Sequence, residues 1–521
     1  MATTPNTYDE LPYECAAASR TQPTRLATVA TLFGMTPPPV QTSRVLEIGC
    51  ADGTNVIAMG YALPDAACLG IDASARQIEQ GQALLAQLNL PNVSLQHKNI
   101  LEIDANFGPF DYIIAHGVYS WVSPPVQEHI LTICQHNLTP NGVAYISFNT
   151  RPGWNMRSTI RDMMLYHAQQ FDDMPTQIEQ MKALLKFFAD ATKEQKTLHS
   201  AFLQKELKIF NQISDTNWYH EFLEENNLPL YFHEFAKQVE QHGLQYLGDT
   251  EVQTMFLENL SPPVIAQLQN LSVIHQEQYF DFLNNRVFRH SLLCHQEVKL
   301  QRSLYPAVIK QFYLASQLQP VGDVDIVSDQ PAKFEKAGLG GVEEDTPIVK
   351  SALVYLAKIW PQAIAFKELV QHADLQLKRD PQSHFETSQE DILAEALLKC
   401  CLGSVIEAFT HPPRCVTTIS PFPKASELAQ VQIQHGDHSV SNLRCEQLKL
   451  SPLLESVLPA VNGTHDEAAL IEILRDLSKK GIITAQHEGQ PAAPEAVTTA
   501  MLQDLLRDIF TYLAQTALLV D

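Results

Sequence analysis

Val45-Leu-Glu-Ile-Gly-Cys-Ala-Asp-Gly53 decides the fold. Arg44–Ile48 is apolar and β-branched enough for a short buried strand, Gly49–Gly53 makes a turn, and Thr54–Tyr61 begins a helix. The glycines suit a turn that a ligand must approach closely, because glycine has no Cβ. The pattern Glu47-x-Gly49-x-Ala51-x-Gly53 is not GxGxxG, which weakens a dinucleotide reading. The alternation continues downstream. Strands are expected at Ala67–Ile71, Val93–His97, Tyr112–Ala115 and Gly142–Ser147, and helices at Ala75–Leu88 and Pro125–Asn137. Upstream, Thr24–Phe33 is expected to be helical, ended by TPPPV. This rhythm implies a parallel, doubly wound α/β sheet, whose ligands sit at the C-terminal strand ends. Asp72, at the end of the second strand, suits a ribose diol, and Asn99, after the third, suits an adenine edge.

Past Asn149 the pattern changes. Residues 155–319 read as a mainly helical domain, and 320–347, rich in Pro, Gly and acids, as a linker able to move or be excised. Residues 348–521 read as winged-helix-like, with Phe366–Val370 and Ile392–Phe409 as a small helical core. Within them, Thr464-x-x-Glu467 resembles a capping box and Ile482–Thr484 a strand. The first domain then covers 1–154. Of 521 residues, 36 are Lys or Arg and 59 are Asp or Glu, for a net charge of −23, which argues against a nucleic-acid partner and favours a basic one. No uncharged apolar stretch reaches the roughly 20 residues of a membrane span, and residues 1–20 do not read as a secretory signal. Nine scattered cysteines without CxxC point to a reducing cytoplasm and against disulfides or zinc, and without HExxH the 19 histidines suggest no metal.

VLEIGCADG (45–53), GIDAS (70–74), HKNIL (97–101) and FDYIIAHGVYSWV (110–122) together resemble a class I S-adenosylmethionine-dependent methyltransferase. The resemblance implies S-adenosyl-L-methionine as cofactor, with Glu47, Gly49, Cys50 and Gly53 around its amino-acid end. It further implies Asp72 and Ala73 at the ribose, Asn99 and Ile100 at the adenine, and His116 after the fourth strand. Ala51 replaces the middle glycine of the family's turn, a departure that narrows that end of the pocket. A narrower resemblance covers more of the chain. YDELPY (8–13), FNTRPGW (148–154), RDMMLYH (161–167), the stretch 217–235 and LQYLGD (244–249) are similar to a bacterial group carrying a methyltransferase regulatory domain. That group includes protein-lysine methyltransferases acting on outer-membrane proteins, so a lysine-bearing protein substrate is implied.

Methyl transfer from a sulfonium needs a neutral nucleophile held in line, so positioning supplies much of the rate. A lysine must first lose its proton, which burial promotes. Tyr119, Trp121, Tyr145 and Trp154 are expected to form an aromatic wall at the ends of strands four and five, with Tyr119, Trp121 and Trp154 as catalytic candidates. Base methylation is disfavoured: the place of a [DN]PP[YF] loop reads His116-Gly-Val-Tyr119, and no Pro-Cys dipeptide occurs. Small-molecule methylation and a non-catalytic, cofactor-binding regulator are the alternatives. The long chain beyond the cofactor motifs counts against the former.

Overall fold

The computed structural model describes residues 7–256, 260–336, 338, 340–377, 387–483, 486–487, 490–491 and 497–520. Its centre is a seven-stranded sheet of β1 (Arg44–Ile48), β2 (Ala67–Asp72), β3 (Val93–His97), β4 (Phe110–Ala115), β5 (Leu138–Asn149), β6 (Leu244–Asp249) and β7 (Phe288–His295). The strand order is 3-2-1-4-5-7-6. The first five are parallel, and β7 lies antiparallel to both β5 and β6. The expected boundary at 154 therefore cuts through the sheet, because β6 and β7 come from the stretch read as helical. They go unseen there because each pairs with a strand far away in sequence.

Ten α-helices lie within residues 7–241: α1 (Thr7–Glu10), α2 (Pro23–Leu32), α3 (Thr54–Ala62), α4 (Ala75–Leu88), α5 (Pro124–Asn137), α6 (Gly153–Ala168), α7 (Met174–Thr192), α8 (Leu198–Phe210), α9 (Asp215–Leu223) and α10 (Phe232–Gln241). Local signals set the ends of α4: the Ser74 hydroxyl caps the Gln77 N–H, and Asn89 closes the helix in the left-handed conformation. Helices α6 to α9 pack a separate core around Trp218 and Phe222.

Strand alternation divides the sheet into two faces. Leu46, Ile113, Ala144 and Ile146 face one core with Tyr119, Phe148 and Phe235. Val45, Tyr112, Val143, Tyr145 and Leu292 face the other, which runs on without a break to Leu353, Leu369 and Leu397. The C-terminal half is thus packed onto the sheet.

Residues 320–347 are not a free linker. Strands β8 (Tyr313–Ala315), β9 (Gln319–Pro320), β10 (Ala332–Lys336) and β11 (Gly340–Glu344) precede the helix Pro347–Ile359, and β9 to β11 form a small sheet. Phe334 is fully buried, and the Lys350 ammonium donates to the carbonyls of Asp325, Ser328 and Gln330 at 2.6–2.8 Å. Composition alone concealed this, because the acidic residues point outward while single apolar ones anchor the segment. Strand β8 pairs with Ile364–Ala365 and Glu407–Phe409, so Ile392–Phe409 is a helix only to Leu402.

The winged-helix core collects Leu470, Leu474, Leu506 and Leu513. It docks on the sheet domain where Glu427 N donates to Tyr61 Oη (3.0 Å) and Gln87 meets His435 (2.8 Å). The expected capping box at Thr464 is replaced by Asp466, whose carboxylate caps Ala469 N at 2.9 Å, while Thr464 bonds Asn462. Ile482 and Ile483 form a bend, and Thr484 lies outside the described residues. Among the described residues no helix is long and apolar enough to cross a membrane.

Candidate active site

The turn between β1 and α3 holds three consecutive alternate residues in the left-handed region, with φ of 69° at Gly49, 50° at Ala51 and 79° at Gly53. A Cβ on Gly49 would lie 2.4 Å from the Val118 side chain, so only glycine lets the loop after β4 close on this turn. Ala51 tolerates the conformation at a cost of about 1–2 kcal/mol. Its N–H donates to Asp72 Oδ2 (2.8 Å), which holds the turn against the end of β2. Asp72 Oδ1 accepts from Ser74 N (2.8 Å). Each carboxylate oxygen keeps a lone pair beyond these bonds.

Glu47 is 4% exposed. Its Oε1 accepts from Asn55 Nδ2 at 2.7 Å, while Oε2 is buried without a hydrogen-bond partner. Burial raises its carboxyl to about 8, although the Asn55 amide and the Val56 N–H pull the other way. Burial also holds the Asp52 and Asp72 carboxyls above their ordinary range. One buried and two half-buried acids crowd one turn, and the buried one has an open oxygen. A cationic ligand would relieve all three.

The remaining cofactor candidates separate by role. Asn99 is exposed and caps Leu101 N with its Oδ1 (2.9 Å), which leaves its amide hydrogens for a ligand. Ala73 is exposed and Ile100 half-buried, both at strand ends on the same rim. His116 is half-buried after β4, next to the loop that meets Gly49. Cys50 lies within the turn. Its thiol is buried within contact of the position a Cβ would take on Gly70, and burial raises its pKa far above that of a reactive thiol. Its side chain is packing, and only its backbone belongs to the turn.

The four aromatic residues do not form one wall. Tyr119 is fully buried against Phe148 and Phe235, and its hydroxyl donates to Gln238 Oε1 at 3.0 Å. The 3-10 turn Tyr119–Trp121 directs the ring into the core, so the expected catalytic role of Tyr119 is not supported by its position. Tyr145 is buried on the opposite sheet face, as alternation along β5 requires. Trp121 and Trp154 do meet, edge to face at 6.4 Å, with Trp154 buried and Trp121 half-buried.

Sequence reasoning gave no role to the N-terminal segment, which closes the rim. Asp9 Oδ1 accepts from Ser74 Oγ (2.6 Å), and the Arg76 guanidinium donates to Asp9 O (2.9 Å). Gln77 Nε2 donates to Tyr13 O (3.0 Å). Tyr8 stacks on His220 at 4.5 Å with the rings nearly parallel, and His220 also contacts Leu11 O (2.8 Å) and Glu224 (2.6 Å). The Asp72 neighbourhood is thereby tied to α9. The aromatic and acidic alternation of YDELPY was the available signal. Among the described residues no three potential ligands cluster to hold a metal.

Residues 45–142 match a family described as a methyltransferase domain, 214–295 a predicted methyltransferase regulatory domain, and 422–518 the C-terminal winged helix domain of PKMT. The protein RP789 of Rickettsia prowazekii is 34% identical over 525 residues, spanning 99% of this chain and 94% of that protein. PKMT2 from Rickettsia typhi, solved in complex with AdoHcy, superposes with a TM-score of 0.87 at 30% identity, covering 98% of this chain and 100% of that one. A second Rickettsia prowazekii protein, RP028, is 41% identical over 240 residues, 46% of this chain and 96% of its own length.

Proposed function

We propose that this chain, which belongs to the S-adenosylmethionine-dependent methyltransferases with a regulatory domain and a PKMT winged helix, methylates lysine side chains of a protein. The observation that carries the cofactor site is the open, buried Oε2 of Glu47. It suits the α-ammonium of the cofactor's amino-acid end, which arrives with the charge that a buried carboxylate lacks. In this reading Asp72 accepts from the ribose hydroxyls, Asn99 donates to the adenine edge, and Gly49 and Gly53 give the turn its left-handed conformation. The bound cofactor supplies an electrophilic methyl on a sulfonium.

The chain's own residues then have three tasks. The acids of the turn receive a cationic group, which favours their ionised forms. The Trp121 and Trp154 pair lies where β4 and β5 end, and a half-buried indole there can hold an aliphatic ammonium until it loses its proton to water. The docked C-terminal half offers a surface for a macromolecular substrate. The similarity to PKMT2 along nearly the whole chain supports a lysine acceptor over a small molecule. Outer-membrane proteins are the substrate class we would test first. We assign the reaction to the cytoplasm because none of the nine cysteines is bonded to another.

The test is transfer of a radiolabelled methyl group to fractionated bacterial extract. Label on lysines of a protein is expected. Label confined to small molecules would refute the lysine assignment, and no label with intact cofactor binding would leave a non-catalytic regulator.

A further inference from the structure

The sheet face that carries Glu47 also carries a continuous hydrogen-bonded chain that the methyl-transfer reading does not use. It begins at Arg20, whose guanidinium lies 2.9 Å from His290 Nε2. His290 Nδ1 lies 2.7 Å from Tyr145 Oη, and Tyr145 Oη lies 3.0 Å from His116 Nδ1. Ser147, directly across the strand pair from His290, accepts from Gly117 N (2.8 Å) and lies 3.1 Å from His116 Nδ1. Tyr145 is fully buried and His290 is 5% exposed, so water does not compete along the middle of the chain.

One direction gives every hydrogen along the chain its own acceptor, the buried Tyr145 hydroxyl hydrogen included. A guanidinium donates and never accepts, so His290 Nε2 must accept. A neutral imidazole then carries its hydrogen on Nδ1, which donates to Tyr145 Oη. The Tyr145 hydroxyl donates onward to His116 Nδ1 and fills its single lone pair. The hydrogen of His116 is thereby left on Nε2.

We propose that Arg20, acting through His290 and Tyr145, fixes His116 as an Nε2–H donor at the end of β4, so that His116 orients an acceptor of the bound ligand and does not remove the proton of the lysine substrate. Arg20, His290 and Tyr145 are positioning residues in this scheme. The lysine ammonium gives its proton to water, and the freed amine takes the methyl group while the sulfonium becomes a thioether. Burial holds both imidazoles down to about 3, and the charge of Arg20 adds to the effect, so neither ring takes a second proton near neutrality. The groups facing His290 are Arg20, Arg286 and Glu251. Glu251 Oε1 stands 3.9 Å from His290 Nε2 and 3.7 Å from Arg20. Without Arg20 it is the nearest acceptor for a hydrogen on Nε2, and the whole chain should reverse.

The role of His116 rests on the methyltransferase reading, whereas the direction of the chain does not. The first measurement is therefore made on ligand-free protein. Nitrogen NMR of histidine-labelled full-length chain at pH 8.5, with the His116 signal assigned by its loss in His116→Gln, should show hydrogen on Nε2 in the wild type and in Arg20→Lys. In Arg20→Leu it should move to Nδ1. Arg20 is half exposed, so the substitution leaves the core intact, and Tyr145→Phe provides a second break in the chain. Hydrogen on Nδ1 in the wild type, or no change in Arg20→Leu, overturns the proposal.

The second measurement separates donor from base. Glutamine keeps an N–H near the Nε2 position and cannot act as a base. His116→Leu should lower kcat/KM about tenfold or more, the loss of one hydrogen bond to a charged group, and His116→Gln should lose only a fraction of that. Equal losses in both, with the acid limb of the pH–rate profile abolished in each, would make His116 the base. A wild type with the expected tautomer that binds no S-adenosylhomocysteine would overturn the methyltransferase reading and leave the direction of the chain standing.

Discussion

Glu47 allows the sharpest test of the cofactor site. Its carboxyl is raised from 4.5 to about 8 because burial strips the carboxylate of water. The folded chain therefore keeps a proton that the unfolded chain has already released. Each pH step between 4.5 and 8 removes about 1.4 kcal/mol of folding stability through this group alone. The accumulated cost is about 3 kcal/mol at pH 7 and about 5 kcal/mol above pH 8, and it is absent below pH 4.5. A ligand that brings an ammonium to Oε2 should force ionisation. At pH 7 most of the ligand-free chain is protonated there, so binding should release close to one proton. Calorimetry of S-adenosylhomocysteine binding in two buffers of different ionisation heat measures that number directly. Glu47→Gln keeps an acceptor for Asn55, cannot ionise, and should release none while binding more weakly by about 1.5–3 kcal/mol. Its thermal stability should also lose the fall between pH 5 and 8 that the wild type shows. If the observed heat is independent of buffer and the two melting profiles run parallel, no cation meets Glu47 and the assignment of the amino-acid end is wrong.

Asp72→Ala should weaken product binding by about 1–3 kcal/mol and loosen the turn that its oxygens hold through Ala51 and Ser74, whereas Asp72→Asn should retain part of both; equal affinity for all three by calorimetry would exclude Asp72 from the ribose. Tyr119→Phe, which removes only the bond to Gln238, should leave turnover near that of the wild type, and Tyr119→Ala should cost about 3–5 kcal/mol in chemical denaturation as a core cavity; a large loss of turnover in the phenylalanine variant would restore the residue to the active site. A chain ending at 319 strips Leu353 and Leu397 from a core shared with Val56 and takes both partners from β8, so it should show no cooperative melt; a folded fragment with full cofactor affinity would make the halves independent.

What the sequence reveals here depends on how far apart the interacting residues lie. The first five strands and the helices between them are readable to within a few residues, because each carries its own period and its own punctuation: Ser74 and Asn89 bound α4 from within. Strands β6 and β7 lack that advantage. Their alternation is broken by polar residues such as Arg289, which is tolerable in the core only because Glu277 and Asp281 neutralise it from a neighbouring helix. The linker reading failed for a similar reason, since Lys350 looks like surface charge until three carbonyls from residues 20 to 25 positions upstream surround it.

The site shows the same division. Glu47, Asp72 and Asn99 stand at strand ends, and their placement follows from topology alone. Tyr119 does not: one 3-10 turn decides whether its ring meets ligand or core, and residue type does not fix that choice. The chain from Arg20 to His116 is the extreme case. Alternation already puts Tyr145 and Ser147 on one face of β5, but only the antiparallel register sets Ser147 opposite His290, and only the N-terminal segment brings Arg20, 270 positions away in sequence, against that ring. Each residue alone reads as a buried aromatic, a satisfied histidine or a surface arginine. Chemistry enters when they are joined, because a guanidinium that cannot accept a hydrogen bond dictates the tautomer of an imidazole three side chains further on.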